Sequence, residues 1–531
     1  MTLPAFRPLS CGVVLALGVL LPGAAGALDP AEARHLLARS GFAATPRAIE
    51  ALAPLDRTAA VDSLLAAGGT AAVTAAPPWT LDWAPPQEAG LGEAERLALR
   101  DTRREQARDL QAWWLNEMLT TASPLTEVMT LFWHNHFTSS LAKVKVPVLL
   151  YRQNLLLRRH ALGNFATLLR EIARDPAMLV YLDNARSRRE APNENFAREL
   201  MELFTLGEGH YSEADLKDAA RAFTGWSVNP ATGAFAYRAA WHDSGVKSVL
   251  GREGSLGGDD VIDLLLARPE TARTVVEKLW RQFVSESQDP AETERLAALF
   301  RNAGYEISPL LTALFTSEAF WAAENRGRLV KSPVDLVIGT LRLFDLPVDD
   351  TRDLAWLTRR LGQDLFNPPD VKGWPGGTAW ITGASLLDRQ TLMARITGRS
   401  AREVATRTGG KSGGGRMDRA AFFDRWVAAL PAPWQEAEGA RLLLLAIPPV
   451  DSAAHLTRRH LLKTAAALPL AGTLGVPLAR AAEAPPVLVL VELNGGNDGL
   501  NTVVPYADPA YVRHRPTLAL PREKVLQLDE N

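Results

Sequence analysis

The sequence predicts a mainly α-helical, multi-helix globular domain with a small β-hairpin insert, followed by an incomplete fragment of α/β type. Three observations predict it. Apolar residues recur at helical spacing along most of the chain up to Phe344, opened by Asp-Pro, Ser-Pro and Asn caps and closed by Gly. Only Ser227 to Val249 carries short strand-like runs between turn residues. Near the end, Val487 to Leu493 is a continuous apolar run of the buried-strand type that leads into Gly495-Gly496-Asn497-Asp498-Gly499-Leu500.

The helical elements follow in order. Asp29-Pro30 opens a first short helix that stops at Gly41, and short helices continue to Ala67. Gly68 to Gly92, rich in Ala, Gly and Pro, reads as a surface loop. Glu93 to Thr121 is a long helix. Ser123-Pro124 starts another that ends near His134-Asn135-His136-Phe137. Val146 to Arg174 reads as helical, and Asp175-Pro176 opens a short helix closed by Asp183-Asn184. A polar loop, Ala185 to Pro192, delivers the chain into Asn193 to Gly207, the helix on which the functional reading centres. Ser212 caps the next helix, and Gly225-Trp226 breaks it. The insert follows, with Ala234 to Tyr237 and Lys247 to Leu250 as its short strands. Helices are then expected from Asp259, Pro269, Pro290, Ile307 and Pro333. Asn367 to Gly377 holds three prolines and three glycines in eleven residues and must be a rigid loop, with Trp374 and Trp380 lining a pocket or anchoring it. Thr408 to Arg416 is a flexible spacer. Its chance matches to a phosphate loop and a nucleophile elbow lack the strand that either needs.

Composition bounds the function. Of 531 residues, 47% are hydrophobic, ample for a large core, and a net charge of −2 argues against a dedicated nucleic-acid binder. The first 27 residues read as a secretory signal, with Arg7 as the basic start, Gly12 to Leu21 as the apolar middle and Ala25-Gly26-Ala27 as the cleavage region. The apolar run is too short to span a bilayer, so no stable transmembrane span is expected once it is removed. Export places the chain in the periplasm or outside the cell. Cys11, the single cysteine, would leave with the signal, so a metal site would have to use His, Asp, Glu or Asn.

Within Asn193 to Gly207, Phe196, Leu200, Leu203 and Phe204 form an apolar stripe. Asn195, Glu199 and Glu202 form a second stripe beside it. Two carboxylates three residues apart repel, and a metal ion, a histidine, Arg198 or solvent must offset that. In the functional reading, Glu199 and Glu202 act in catalysis with Asn195 and Arg198. A divalent metal is held by His134, His136, Glu199 and Glu202, joined by Asp183 or His242, and activates water. In the plain reading, Glu199 and Glu202 lie on a solvated shoulder with Arg198 paired to Glu202. His134 and His136 then cap or face solvent, Asp183 is a capping residue, and His242 staples its loop.

Thr457-Arg458-Arg459-His460-Leu461-Leu462-Lys463, with the apolar run after it, resembles a twin-arginine export signal. The expected organisation is therefore a signal at 1–27, a helical domain at 28–448, a linker with an internal twin-arginine-like signal at 449–484, and a truncated α/β start at 485–531. Two joined reading frames or a real fusion would each produce it.

The segments F-W-H-N-H-F, N-E-N-F-A-R-E-L-M-E-L-F-T-L-G, A-R-A-F-T-G-W, K-S-P-V-D-L-V and N-P-P-D-V-K-G-W-P-G-G resemble the bacterial family catalogued as domain of unknown function 1800, over about Leu28 to Pro448. The resemblance implies a mostly helical exported protein. The tail V-L-V-L-V-E-L-N-G-G-N-D-G-L-N-T-V-V-P-Y-A-D resembles the start of the family numbered 1501, which is similar to the alkaline phosphatase and sulfatase superfamily. Members of that family are often encoded beside the first, which implies a partner. Asp498 matches its metal-binding Asp loosely. Two functions remain open: a metal-dependent hydrolase, or a non-catalytic helical binding or scaffold protein that partners the neighbouring 1501-type protein.

Overall fold

The computed structural model describes residues 26–81, 90–348, 350–386, 388, 389 and 392, all within the first of two compact units, Met1–Glu436. The expected spacer, the internal signal and the α/β start lie outside the described residues. Those residues are mainly helical, with two small antiparallel hairpins.

Local chemistry sets the helix ends. Asp29 accepts from Glu32 N at 2.7 Å, and Pro30 begins the helix Pro30–Ser40, whose C-cap is Gly41. Thr45 and Asp56 cap Pro46–Leu52 and Arg57–Ala66 in the same way. Glu93–Thr120 and Pro124–His136 match the expected spans closely. The expected continuous helix from Val146 to Arg174 is instead two, Pro147–Arg159 and Phe165–Ala173, because Asn164 accepts from Thr167 N and starts the second afresh. Thr351–Arg360 is a further helix that sequence reading missed; it packs on Glu93–Thr120.

The insert departs from expectation. Ala234 to Tyr237 and Lys247 to Leu250 do not pair with each other. Trp226–Val228 pairs with Phe235–Tyr237, and Lys247–Val249 pairs with Arg252–Gly254. The second hairpin turns through Leu250 and Gly251, with φ of 52° and 85°. Such a two-residue turn needs positive φ at both positions, which is costly for leucine. Asp215 Oδ1 accepts from Leu250 N at 2.7 Å and holds it there.

Three helices, Glu93–Thr120, Pro124–His136 and Pro147–Arg159, meet around a dry ion pair. Arg158 donates from Nε to Glu127 Oε1 at 2.6 Å, from Nη2 to Glu127 Oε2 at 2.9 Å, and from Nη1 to Asn154 Oδ1 at 2.7 Å. Trp114 Nε1 donates to Glu127 Oε2 at 2.9 Å. The two charged side chains are 0% and 1% exposed. Beyond them an aromatic column, Trp133, Phe137, Phe165 and Phe204, fills the core. The pair is stable because both ends are saturated with partners, which offsets the cost of removing them from water. Arg158→Met strands a buried carboxylate and is expected to cost about 3–5 kcal/mol in urea denaturation. The double variant with Glu127→Gln, which leaves no buried charge, should recover a large part of that loss.

Candidate functional site

The helix Pro124–His136 ends with Phe137 as its C-cap, so its last turn delivers His134, Asn135 and His136 in three directions. His134 points into an aromatic box of Trp114, Phe366 and Trp374, at centroid distances of 5.3, 5.2 and 5.8 Å. Its Nε2 is buried and has no hydrogen-bond partner among the described residues. Burial holds its pKa down at about 3, so the ring is neutral. Asn135 clasps the rigid loop: its Oδ1 accepts from Trp374 N at 2.7 Å, and its Nδ2 donates to Trp374 O at 3.2 Å. A Cβ on Gly373, whose φ is +83°, would lie 2.3 Å from Asn135 Oδ1, so the loop approaches this closely only through glycine.

His136 meets the central helix. That helix is α from Glu194 to Met201 and then widens into a π turn, Glu202–Leu206, closed by Gly207 N donating to Glu202 O at 3.1 Å. A π turn swings carbonyls out of line. Thr205 Oγ1 donates to Leu200 O at 2.7 Å. Lys278, from the helix Pro269–Phe283, donates to Leu203 O at 2.7 Å and to His136 Nδ1 at 3.1 Å. His136 Nε2 lies 3.1 Å from Phe204 O. Since an ammonium only donates, Nδ1 is the acceptor and the ring hydrogen sits on Nε2. Burial, reinforced by the Lys278 charge, keeps His136 neutral, well below its ordinary pKa. Burial also brings Lys278 down to about 8, with the Arg281 charge adding to the effect.

The acidic shoulder lies on the outer side of the central helix. Burial raises the Glu199 pKa, and the neighbouring Glu202 charge adds to this; Arg198 and Lys372 act against it. Glu202 Oε2 accepts from Tyr211 OH at 2.7 Å, and burial with that bond pushes Tyr211 up to about 12. The rigid loop completes the face. Lys372 lies 3.8 Å from Glu208, and Asp370 and Glu199 both act on the buried Tyr181 hydroxyl, whose pKa is raised first by burial. This face can present paired carboxylates, one phenol and one ammonium to a polar partner.

The histidines expected to complete a metal site do not join that face. His134 and His136 are enclosed in the core, and His136 has both ring nitrogens engaged inside the protein. Asp183 stands at a left-handed position, φ 62°, and accepts from Lys143 at 2.6 Å. His242 Nδ1 donates to Thr224 O at 2.9 Å, beside an Arg221–Asp243 pair, and so staples its loop. Arg198 binds Glu213 at 3.2 Å and lies 3.8 Å from Glu194, rather than pairing with Glu202. Asn195 Nδ2 donates to Leu182 O at 3.4 Å and its backbone N to the Asn193 cap at 2.8 Å, so it braces the helix start. Among the described residues, no group of three or more His, Cys, Asp or Glu could hold a metal ion. Trp374 and Trp380 are buried anchors of their loop. Sequence reading missed Asn135 and Lys278. Asn135 shows only as the residue between two histidines, and Lys278 carries no local signal at all.

The neutral, enclosed His134 has a consequence for acid stability. Between a folded pKa of about 3 and the ordinary 6.5, the unfolded chain binds a proton that the folded chain refuses. This contribution is therefore present above pH 6.5 and is lost as pH falls toward 3. His134→Phe fills the aromatic box without a polar atom. It should leave urea stability at pH 7 unchanged or higher, and should make the loss between pH 6.5 and 4.5 shallower by a few kcal/mol, at about 1.4 kcal/mol per pKa unit.

No curated protein matches the chain, and no solved structure does. A family model does match, over residues 35–471, past the expected boundary at Pro448. With the motifs around His134, Glu199 and Trp374 now placed on one helical scaffold, the chain belongs to the family described as Protein of unknown function (DUF1800).

Proposed function

We propose that this is an exported bacterial protein that works by binding. Its recognition face is built from Glu199, Glu202, Tyr211, Asp370 and Lys372, and its partner is the 1501-type protein encoded alongside. The tail from residue 485 then resembles the start of such a protein. The observation that carries the binding reading is the inward turn of the histidines. With His136 held by Lys278 and Phe204 O, and His134 boxed by aromatics, neither of these two imidazoles is left to share an ion with Glu199 and Glu202. Export is supported by the leader-like first 27 residues and by a chain whose single cysteine lies within them. No helix among the described residues is long and apolar enough to cross a membrane.

One observation favours a second reading, a hydrolase. Burial raises the Glu199 carboxyl from its ordinary value, and one turn away Glu202 accepts from a phenol, so two carboxylates with different surroundings stand side by side.

The protein purified from its own envelope should carry no stoichiometric divalent metal and should co-purify a 1501-type protein, which the charge reversals Glu199→Lys and Glu202→Lys release. One equivalent of metal lost in Glu199→Ala would overturn the binding reading. A hydrolytic activity abolished by Glu199→Gln and by Glu202→Gln would establish the second reading in its place.

A further inference from the structure

We propose that the bond between Ala27 and Leu28 is the processing site of this protein, and that the α-ammonium created on Leu28 is a seated structural group rather than a free end. This rests on the export reading above.

Two independent observations fall on the same bond. In sequence, the small residues Ala25, Gly26 and Ala27 end a basic start and an apolar run. In structure, the chain changes character there. Gly26 and Ala27 are exposed, whereas Leu28 is only 4% exposed and belongs to the core. Leu28 N donates to Leu55 O at 2.8 Å, and Asp29 at once caps the first helix. The residue that cleavage would make first is thus already tied into the helical domain by its backbone and its side chain.

The surroundings suit a cation. Gly26 and Ala27 line an open cavity of about 420 Å³ together with Glu32, Asp56, Arg57 and Thr58. Hydrolysis by a leader peptidase consumes one water. Ala27 leaves as a carboxylate with the leader, and Leu28 N gains hydrogen and becomes an ammonium. That ammonium keeps the bond to Leu55 O and gains two further donors beside a cavity that holds two carboxylates. Glu32 already serves Arg57 at 2.6 Å and Arg326 at 3.2 Å. Asp56 uses Oδ1 to cap Ala59 N at 2.8 Å and forms no ion pair among the described residues, so it is the counter-ion of choice. Processing thus replaces two exposed small residues by a charge-assisted anchor at the buried Leu28.

Intact-mass measurement and N-terminal sequencing of the full exported protein test the first half. A start at Leu28 is expected. A start at another residue overturns this proposal and leaves export standing, whereas an uncleaved Met1 on protein retained inside the cell overturns the export reading itself. Neither result bears on partner binding, which is read by co-purification. For the second half, selective acetylation of the Leu28 amine should lower the melting temperature by a few degrees. Asp56→Ser keeps the helix cap and removes the charge, so it should shrink that difference. Equal melting temperatures with and without acetylation, or a difference unaltered by Asp56→Ser, would overturn the seat.

Discussion

The Glu127–Arg158 pair is the constraint on which the rest of this domain depends. It ties three helices at one dry point, and one of them carries His134, Asn135 and His136 at its far end. Bringing two charges into an apolar interior costs several kcal/mol per ion, which only saturated partners offset. Trp114 and Asn154 supply those partners. The same tryptophan forms one wall of the His134 box, so the geometry that neutralises Glu127 also fixes the surroundings of the histidine.

From that point the polar chemistry runs outward in two directions. Asn135 holds the proline- and glycine-rich loop by two hydrogen bonds to a single residue, Trp374, which is why a segment without regular structure keeps a fixed course. His136 and Lys278 hold the π turn. The three histidines that looked like ligands prove to hold a backbone group, as His136 and His242 do, or to lie in an apolar box, as His134 does. The charged groups left facing outward, Glu199 and Lys372, are those with no such internal duty.

Much of the helical architecture was legible because its signals are local. Asp29-Pro30, Ser212 and Gly207 act within a few residues of themselves, and they set boundaries as expected. The failures were non-local. The hairpins pair differently because Leu250 sits at positive φ only with help from Asp215, on another element. The His134, His136, Glu199 and Glu202 grouping seemed reasonable from residue type, but spacing along the chain says nothing about which side of a helix end faces the core. Lys278 was invisible because a lysine in an amphipathic helix normally faces water. The rigid loop was read correctly, since prolines and glycines in that density exclude helix and strand whatever surrounds them.

The π turn at Glu202–Leu206 holds one residue more than an α-helix would use for the same rise. That surplus peptide is what turns the carbonyls of Leu203 and Phe204 toward Lys278 and His136. Relatives that lacked it by a single deletion would carry an unbroken helix there, with Gly207 and everything after it rotated by about a quarter turn. The locked imidazole and its ammonium would lose their acceptors together. The length of this short segment, more than the identity of any residue in it, therefore sets whether the interior of the domain is polar and closed or has to be rebuilt.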